Sequence, residues 1–214
     1  MTTGMRLVIV GTDTDVGKTV VSALVVQGLG AHYWKPVQSG LDGPSDSQSV
    51  QNLIELPAER LLPEAYRLTA PVSPHWAAER DRVTIDPERL QLPTPEAVPG
   101  PLVVETAGGL LVPLRRDWLQ IEQIARWRLP VLLVARSGLG TLNHTLLSLE
   151  ALERRSIPVL GLVLNGPLHA DNPRTLSELG GVPVLLELPP LARLDAAALA
   201  QQWHGSALAH RLQA

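Results

Sequence analysis

The chain contains no cysteine and no phenylalanine among its 214 residues. The absence of cysteine excludes a disulfide framework and thiolate chemistry, and it fits a cytoplasmic protein, which is the location we expect. The absence of phenylalanine means that the core must be built from leucine, valine, alanine and isoleucine. Charged residues make up 18% and apolar residues 45% of the chain. This composition is typical of a soluble globular protein, and the length predicts one α/β domain spanning residues 1–214.

Long apolar runs and basic runs are also lacking. The formal net charge is −3, and no cluster of lysine or arginine interrupts the chain. This distribution argues against nucleic acid as the main partner. The apolar stretch within residues 1–10 is too short for a signal-peptide core or a membrane span, so we expect no attachment to a membrane.

Lysine is scarce, because only Lys18 and Lys35 occur and every other basic side chain except histidine is arginine. Arginine can replace lysine for solubility. It cannot replace lysine where a compact ammonium must fit between phosphates, or where a titratable amine is needed. A G+C-rich coding bias would explain the scarcity of lysine but not the two positions. Both lysines are therefore candidate functional residues.

Short, continuous apolar runs alternate with helical patterns along the chain. Continuous apolarity indicates strands that are covered on both faces, as in parallel sheets. A further strand is predicted directly before Lys35. The repeated strand–helix–strand order predicts a doubly wound, mainly parallel α/β sheet. The five apolar runs are Arg6–Val10, Leu102–Thr106, Val131–Ala135, Leu160–Asn165 and Val182–Leu186.

The helices are predicted from apolar periodicity and from residues that can begin or end a helix. Asp117 is predicted to cap a helix over Trp118–Arg128. Between residues 41 and 100 the pattern is weak, and only short helical pieces are expected at Ser47–Leu56 and Pro87–Leu92. The remaining predictions are a helix that Asn172-Pro173 opens and Gly180-Gly181 closes, and one or two helices after Asp195 that break near Gly205.

A glycine-containing segment, GTDTDVGKT at Gly11–Thr19, lies between the first predicted strand and an apolar helix. A phosphate-binding loop needs this strand–loop–helix context. Gly17 lets the backbone approach an anion, and the helix N-terminus adds partial positive charge. We predict that Lys18 contacts the β- and γ-phosphates and that the hydroxyl of Thr19 binds Mg²⁺.

Two carboxylates are candidate metal ligands beside this loop. Glu105 ends an apolar run, and a carboxylate at the carboxyl end of a strand lies on the ligand side of an open sheet. Asp46 precedes a short helical pattern, where an aspartate is ordinarily an N-cap. The capping and metal-binding roles of Asp46 are compatible, so the two acids with Thr19 form a candidate Mg²⁺ site.

Five motifs together give the chain a resemblance to a known family. The first is GTDTDVGKT at Gly11–Thr19, where the first glycine stands one residue earlier than in the general phosphate-loop pattern. The others are KPVQSG at Lys35–Gly40, SPH at Ser73–His75, ETAGG at Glu105–Gly109 and GLGTLNH at Gly138–His144. With these motifs in this order the chain resembles the dethiobiotin synthetases. The early first glycine is a feature of that family, whereas Thr106 stands where the family usually has glycine.

The resemblance implies a fold, a reaction and an oligomer. The fold would be that of the P-loop NTPases, and members are homodimers with active sites near the subunit interface. The reaction would convert 7,8-diaminononanoate, CO2 and ATP into dethiobiotin, ADP and phosphate, the penultimate step of biotin synthesis. It would pass through a carbamate and a carbamic–phosphoric anhydride, with Mg²⁺ as the cofactor.

The resemblance also implies roles for individual residues. Lys18 and Lys35 would be the catalytic residues, on the reacting phosphate and the carbamate, while Thr19, Asp46 and Glu105 would hold Mg²⁺. The substrate would be bound by Thr14, Asp15, Lys35 and Ser39, and by Gly140, Thr141 and Asn143, which would receive its distal carboxylate across the dimer. ATP would be bound by Asp15, Val16, Gly17, Lys18, Thr19, Val20, Asp46, Glu105, Thr106, Ala107, Gly108, Asn165, Gly166, Pro189, Pro190 and Leu191.

Two histidines in these motifs are interpreted as structural. His75 follows Pro74 in a predicted loop, and His144 belongs to the last motif. We expect both side chains to be partly buried and hydrogen-bonded, and we assign neither a role in proton transfer.

The main alternative is a partitioning or cell-division ATPase of the same fold, which acts as a nucleotide-dependent switch. That class carries an extra lysine four residues before Gly17, where this chain has Asp13. Its membrane-targeting members need a basic amphipathic C-terminal helix, whereas residues 201–214 hold one arginine. A GTPase would need an Asn-Lys-x-Asp motif, for which no lysine remains. A cobyrinic acid amidase domain would need a glutaminase partner with a cysteine nucleophile, and this chain has no cysteine.

Overall fold

The computed structural model describes residues 4–214. Seven of its strands form one sheet in which every neighbouring pair is parallel, in the order β11-β10-β9-β1-β6-β2-β4. The strands are β1 (Arg6–Gly11), β2 (His32–Trp34), β3 (Val37–Ser39), β4 (Leu61–Leu62), β5 (Tyr66–Leu68), β6 (Leu102–Gly109), β7 (Pro113–Arg115), β8 (Trp118–Leu119), β9 (Val131–Arg136), β10 (Val159–Asn165) and β11 (Val184–Leu188).

Helices cover both faces of the sheet. Side chains alternate across a strand, so Leu7 and Ile9 of β1 face one helical layer while Val8 and Val10 face the other. The first layer contains α1, α2, α7 and α8, and the second contains α4, α5 and α6. The helices are α1 (Lys18–Leu29), α2 (Asp46–Ile54), α3 (Pro74–Arg80), α4 (Gln120–Trp127), α5 (Thr141–Glu153), α6 (Asn172–Gly180), α7 (Ala196–Trp203) and α8 (Ala207–Gln213). The predicted doubly wound α/β fold is thus confirmed.

The central strand β1 shows why continuous apolar runs predicted buried strands. Residues Leu7 to Val10 are all fully buried, because β1 lies between β6 and β9 and has a helical layer on each side. Each of the five predicted strands is present within two residues of its predicted ends, apart from β6, which continues to Gly109. The strand predicted before Lys35 is β2.

Several very short elements were not predicted. β3 pairs with β5, β7 pairs with β8, and β4 forms the outer edge of the main sheet. Such strands are too short to show a hydrophobic period, and they depend on partners that are distant in sequence. β3, β5, β7, β8 and α3 enclose a third apolar cluster, which includes Tyr66, Leu68, Ala77 and Ile85.

The start of α4 differs from its prediction. Trp118 and Leu119 pair with β7, so the helix begins at Gln120. Asp117 is not its cap, because the carboxylate forms an ion pair with Arg115 (Nε to Oδ1, 2.9 Å). Residues 117–119 therefore belong to a local hairpin, which the ion pair between Arg115 and Asp117 stabilises, and not to the helix.

The other helical predictions were closer to the structure. Asn172 begins α6, and Gly181 ends it in the left-handed conformation. The C-terminal segment forms two helices, α7 and α8, that are separated at Gly205. The predicted piece at Ser47–Leu56 is α2, and the piece at Pro87–Leu92 is a 3-10 turn over Pro87–Leu90. In residues 4–214 no helix is both long enough and apolar enough to cross a bilayer.

A close contact between Gly28 of α1 and Trp203 of α7 predicts an unusual response to a helix-favouring substitution. Glycine to alanine inside a helix ordinarily stabilises a protein by about 1 kcal/mol. A Cβ at residue 28, however, would lie 2.2 Å from Trp203 Cε2, and that ring is buried. We expect Gly28→Ala to lower the free energy of unfolding by roughly 1–3 kcal/mol, because the ring must move.

Urea unfolding of Gly28→Ala and Gly43→Ala tests this contact. A Cβ at residue 43 would meet nothing within 4 Å, so Gly43→Ala serves as the matched control. Equal unfolding midpoints for the two variants would show that α1 and α7 do not pack as described.

Candidate active site

The loop between β1 and α1 is held against the end of β10. Gly17 adopts φ 97°, a left-handed conformation that favours glycine. A Cβ on Gly17 would lie 2.1 Å from Asn165 Nδ2, and that amide donates a hydrogen bond to the carbonyl oxygen of Val16 at 3.0 Å. Only glycine therefore fits at the last position before the helix.

The early first glycine has a steric reason. A Cβ on Gly11 would lie 2.9 Å from both Lys18 Cδ and Val16 Cγ2. The stem of Lys18 folds back across the loop, where its Nζ donates to the carbonyl oxygen of Asp13 at 2.8 Å. Gly11 thus leaves the space through which the stem of Lys18 passes.

Lys18 is largely buried, which makes its charged form less favourable than it is in water. Burial, reinforced by the charge of Lys35, lowers the pKa of Lys18 to about 8. Glu105 and Asp46 oppose this shift only in part. An anion with several negative charges beside Lys18 would restore the charged form.

Thr19, Lys35, Asp46 and Glu105 form one polar cluster, in which Lys35 and Glu105 are buried. Glu105 is fully buried, and its Oε1 accepts hydrogen bonds from Thr19 Oγ1 at 2.9 Å and from Lys35 Nζ at 3.0 Å. Lys35 Nζ also pairs with Asp46 Oδ2 at 2.5 Å. Thr19 Oγ1 lies 3.2 Å from Asp46 Oδ1. Three elements that are distant in sequence therefore meet at one point.

The charges within this cluster stabilise one another. Burial alone would lower the pKa of Lys35, but the charges of Glu105 and Asp46 outweigh it and raise the pKa above its ordinary value. Burial would raise the pKa of Asp46, but the charge and hydrogen bond of Lys35 outweigh it and lower the pKa. Lys35 and Asp46 consequently remain an ion pair around neutral pH.

The oxygen donors of the cluster fit a hard divalent cation. Asp46 Oδ1 lies 3.2 Å and Glu105 Oε1 lies 2.9 Å from Thr19 Oγ1. Residues 4–214 contain no group of three or more histidine, cysteine, aspartate or glutamate side chains suited to a metal. Two carboxylates and a hydroxyl match Mg²⁺, which is ordinarily held by one or two carboxylates together with phosphates.

Asp46 does not cap α2, so that prediction was wrong. The N-cap is Ser45, whose Oγ accepts from the Gln48 N–H at 3.2 Å while Gln48 Oε1 accepts from the Ser45 N–H at 2.8 Å. Asp46 is the first helical residue, and its N–H donates to Gln38 Oε1 at 3.1 Å. Because Ser45 caps the helix, the carboxylate of Asp46 can reach Lys35.

A cavity of about 490 Å³ opens beside this cluster. Four of the residues predicted to bind the substrate line it, namely Thr14, Asp15, Lys35 and Ser39. Ser39 Oγ is buried and has no hydrogen-bond partner within residues 4–214. The other residues lining the cavity are Gln38, Asp46, Pro71, Val72, Ser73, Pro74, Ala107, Gly108 and Val112.

The predicted residues at the start of α5 lie away from this cavity. Gly140, Thr141 and Asn143 are not among its lining residues. Thr141 is buried, with its Oγ1 3.3 Å from Thr145 Oγ1, and Asn143 is exposed. Within one chain, therefore, these three residues are not brought together with Lys35.

The last five residues predicted to bind ATP lie at neighbouring strand ends. Asn165 ends β10 and Gly166 follows it, and the segment from Pro189 to Leu191 follows β11. The N–H of Gly166 donates to the carbonyl oxygen of Leu188 at 2.9 Å, which joins the two strand ends. Asn165 links this edge to the phosphate loop through Val16, as described above.

β6 continues beyond its predicted end at Thr106 as far as Gly109. Thr106 is buried, and its Oγ1 donates to the carbonyl oxygen of Ile9 at 3.2 Å. Ala107, which follows Thr106, forms two hydrogen bonds with the side chain of Gln120. The amide of Gln120 donates to the carbonyl oxygen of Ala107 at 2.7 Å and accepts from its N–H at 3.0 Å. Nothing in the sequence around Gln120 indicated this role.

Two buried polar residues beside the cluster were missed by sequence reasoning. Tyr33 Oη donates to Glu105 Oε2 at 2.9 Å, and Gln38 orients the backbone of Asp46. Burial, followed by the charge of Glu105, raises the pKa of Tyr33 well above its usual range. The signal that could have found Tyr33 is its position two residues before Lys35, since alternate strand residues share a face.

Of the two histidines, His75 largely agrees with its prediction and His144 does not. His75 is half-buried, and its Nδ1 lies 3.1 Å from Ser73 Oγ, as expected for a structural histidine. It lies, however, in the first turn of α3 rather than in a loop. His144 is exposed on α5, so the prediction that it is partly buried was wrong.

The fold and the site together define a P-loop NTPase. The central strand leads through a glycine-containing loop into a helix that begins with Lys18 and Thr19, and Glu105 on the neighbouring strand β6 contacts Thr19. This is the arrangement that binds phosphates through backbone N–H groups, an ammonium and a metal-binding hydroxyl.

The comparisons with known proteins agree with this class and narrow it. The AAA domain family matches residues 5–198. Solved structures with the same fold include the cell division ATPase MinD of Pyrococcus furiosus, with a TM-score of 0.56 and 17% identity over 98% of each chain. The MinC:MinD cell division complex of Aquifex aeolicus aligns with a TM-score of 0.59 and 13% identity, covering 98% of this chain and 96% of that chain. At these identities the likeness shows the fold alone.

Sequence relatives are much closer. The ATP-dependent dethiobiotin synthetase BioD of Rhodopseudomonas palustris (strain HaA2) is 54% identical over 193 residues, which cover 90% of this chain and 89% of that protein. The protein of the same name from Agrobacterium fabrum is 52% identical over 197 residues, 92% of each chain. The chain belongs to the dethiobiotin synthetase family, a family of ATP-dependent ligases.

The pKa of Lys18 predicts that nucleotide binding is coupled to proton uptake. In the free protein this pKa is lowered to about 8, so the ammonium loses its proton as the pH rises through that value. Bound phosphates would raise the pKa again, because they favour the charged form. Between about pH 8 and 10, therefore, ADP binding should take up a proton and weaken as the pH rises.

Isothermal titration of ADP in buffers of different ionisation enthalpy measures this uptake. Lys18→Arg is the control, because an arginine keeps its proton throughout this range. Equal proton uptake by the two proteins at pH 9 would contradict the assignment to Lys18.

Proposed function

We propose that the protein makes dethiobiotin by the ATP-dependent carboxylation and ring closure of 7,8-diaminononanoate with CO2, releasing ADP and phosphate. One observation carries the proposal: Lys35 ion-pairs with the acids beside the phosphate loop and also lines the adjoining cavity. A single cation thus borders the place for the nucleotide and the place for a second substrate. Relatives that bear this name, and that are 53% and 54% identical to this chain over the aligned residues, support the reaction.

The proposed reaction has three steps that require no protein nucleophile. One amine of the substrate adds to CO2, forming an N–C bond and losing a proton to give a carbamate. A carbamate oxygen then attacks the γ-phosphorus of ATP, and ADP leaves, which gives a carbamic–phosphoric anhydride. The second amine attacks the carbonyl carbon, and phosphate leaves as the ureido ring closes. Catalysis then consists mainly of positioning and charge neutralisation.

The two lysines suit this chemistry in different ways. Lys18 lies over the phosphate loop and would neutralise the phosphates of ATP. Lys35, whose pKa is raised by Glu105 and Asp46, would remain an ammonium at the junction of carbamate and γ-phosphate. Lys35 would stabilise the charge that develops during transfer, when a preorganised buried cation is most effective.

The other ligands of the nucleotide and the cation are proposed from the same arrangement. Mg²⁺, held by Thr19, Asp46 and Glu105, would supply charge neutralisation at the phosphates. The N–H groups of residues 15–20 would cradle the phosphates at the start of α1. The segment Thr106–Gly108 and the strand ends at Asn165, Gly166, Pro189, Pro190 and Leu191 would border the rest of the nucleotide.

The cavity of about 490 Å³ is the proposed site of the diamine. Asp15 offers a carboxylate that can pair with a substrate amine, and Thr14 lies beside it. The unpaired hydroxyl of Ser39 can donate to the carbamate, which would satisfy its buried oxygen. Pro71, Val72 and Pro74 provide an apolar wall for a hydrocarbon chain.

We propose that a second copy of the chain completes the site. An exposed apolar face lies on the α5 side of the sheet, around a cavity of about 460 Å³ lined by Leu110, Leu111, Leu147 and Ala151. The side chains of Leu111 and Leu147 are 53% and 55% exposed. A contiguous face of this kind is typical of a protein interface. The start of α5 lies next to this face. In the dimer it would bring Gly140, Thr141 and Asn143 to the carboxylate of the substrate that is bound by the partner subunit.

Removing Lys35 tests the central assignment. We expect Lys35→Ala to lower turnover on the order of 1,000-fold, because it removes the cation at the transferred group. Binding of Mg²⁺–ATP should remain, because Lys18 and the loop are unchanged. Phosphate release measures turnover, calorimetric titration measures ATP binding, and circular dichroism confirms that the variant is folded. Near-normal turnover by Lys35→Ala would contradict the proposed role.

The same phosphate assay separates the synthetase from a switch ATPase of this fold. Release of phosphate should require both diaminononanoate and bicarbonate, and omission of either should abolish it. ATP hydrolysis that ignores the diamine but rises with DNA, lipid vesicles or a protein partner would favour the switch ATPase.

The proposed interface predicts the oligomeric state of two surface variants. Leu147→Glu should dissociate the dimer, because it places a charge on the apolar face. Leu194→Glu is the control, since Leu194 is 48% exposed and lies before α7, on the opposite helical layer. Light scattering coupled to size exclusion measures the mass of each. A wild-type monomer, or a dimer of Leu147→Glu, would contradict the interface.

A further inference from the structure

Tyr33 is a fully buried side chain of β2 whose hydroxyl contacts the active-site acid Glu105. Its Oη donates to Glu105 Oε2 at 2.9 Å, and both residues are inaccessible to solvent. The ring belongs to the apolar cluster that joins the sheet to α1 and α2. Tyr33 is thus part of the core and touches the polar cluster only through its hydroxyl.

The strand register explains how the hydroxyl reaches Glu105. β2 pairs with β6 so that Tyr33 lies opposite Val103. Glu105 is two residues beyond Val103 and shares its face, so the ring extends diagonally toward the carboxyl end of β6. The same alternation places Lys35, two residues after Tyr33, beside the same carboxylate.

The two oxygens of Glu105 have separate partners. Oε1 contacts Thr19 Oγ1 at 2.9 Å and Lys35 Nζ at 3.0 Å, on the side of the phosphate loop. Oε2 contacts Tyr33 Oη on the side of the core. A carboxylate without the contact to Tyr33 could rotate and present either oxygen, or both, to the phosphate loop.

The hydroxyl is not required simply to fill the core. The core residues around Tyr33, such as Leu7 and Val103, are apolar, and phenylalanine would fill the volume of the ring. What phenylalanine would lack is the donor to a buried anion, which has no water to replace that donor.

We propose that Tyr33 is a positioning residue that holds Glu105 as a one-oxygen ligand for the divalent cation that accompanies the nucleotide. The proposal rests on the proposed function, because it assumes that Glu105 binds this cation. It assigns Tyr33 an effect on the affinity for the cation that is exerted through Glu105 rather than through any contact with substrate.

Tyr33→Phe tests the proposal, and Tyr66→Phe is a matched control. Tyr66 is also buried, and its hydroxyl accepts the N–H of Asp86 at 2.8 Å in a separate apolar cluster. The readout is the binding of Mn²⁺ in the presence of ADP and without any diamine, measured by electron paramagnetic resonance. We expect Tyr33→Phe to weaken Mn²⁺ binding on the order of 10-fold. ADP binding without metal should stay unchanged, and Tyr66→Phe should match the wild type.

A double-mutant cycle with Glu105→Gln distinguishes positioning from general loosening. If Tyr33 acts through Glu105, Tyr33→Phe should cause no further loss of Mn²⁺ affinity in the Glu105→Gln background. The same loss in both backgrounds, or a Tyr33→Phe protein that binds Mn²⁺ like the wild type, would overturn the proposal. Diamine-dependent phosphate release by the wild type is measured separately, and its absence would refute the proposed function instead.

A measurement without substitution at residue 33 covers the case in which Tyr33→Phe does not fold. The chain has two tyrosines, so global 3-fluorotyrosine labelling gives two fluorine resonances, and Tyr66→Phe assigns them. Adding Mg²⁺ to the ADP complex should shift the resonance of Tyr33 and leave that of Tyr66 in place. A resonance of Tyr33 that does not respond to Mg²⁺ would overturn the proposal.

Discussion

The active site depends on one buried ammonium. Lys35 Nζ lies between Asp46 and Glu105, and the charges of Lys35 and Glu105, which are nearly or fully inaccessible to solvent, could not be buried without a partner. A buried ion pair repays its desolvation only when the geometry is good and further hydrogen bonds satisfy the remaining donors and acceptors. Thr19 and Tyr33 supply those bonds to Glu105. The cluster therefore determines how β2, β6 and the start of α2 must meet.

This constraint links the fold to the chemistry. The carboxyl ends of parallel strands share one edge of the sheet, which is where such folds bind their ligands. The cluster lies at that edge with the phosphate loop on one side and the cavity of about 490 Å³ on the other. MinD shares the scaffold at 17% identity, so the scaffold alone does not identify the substrate. In this chain the segment from Pro71 to Pro74 lines the cavity beside the cluster.

Sequence reasoning succeeded where a physical signal was local. Residues 7–10 form a continuous apolar run and proved to be a central strand, because burial on both faces leaves no polar alternation. Lys18 and Thr19 could be recognised because the loop, helix and phosphate chemistry are contiguous in the chain. The short strands β3, β5, β7 and β8 gave no such signal, since each contributes too few residues to show a period.

The sequence by itself determined the class of fold, the position of the phosphate loop and which charged residues were candidates for the site. It did so because apolar periodicity, glycine positions and the two lysines are read along the chain. Only the tertiary structure decided which oxygen of Glu105 faces Thr19, that Ser45 rather than Asp46 caps α2, and that Tyr33 and Gln38 support the acids. These outcomes depend on the register between β2 and β6 and on contacts across some 70 residues of chain, which no local pattern contains.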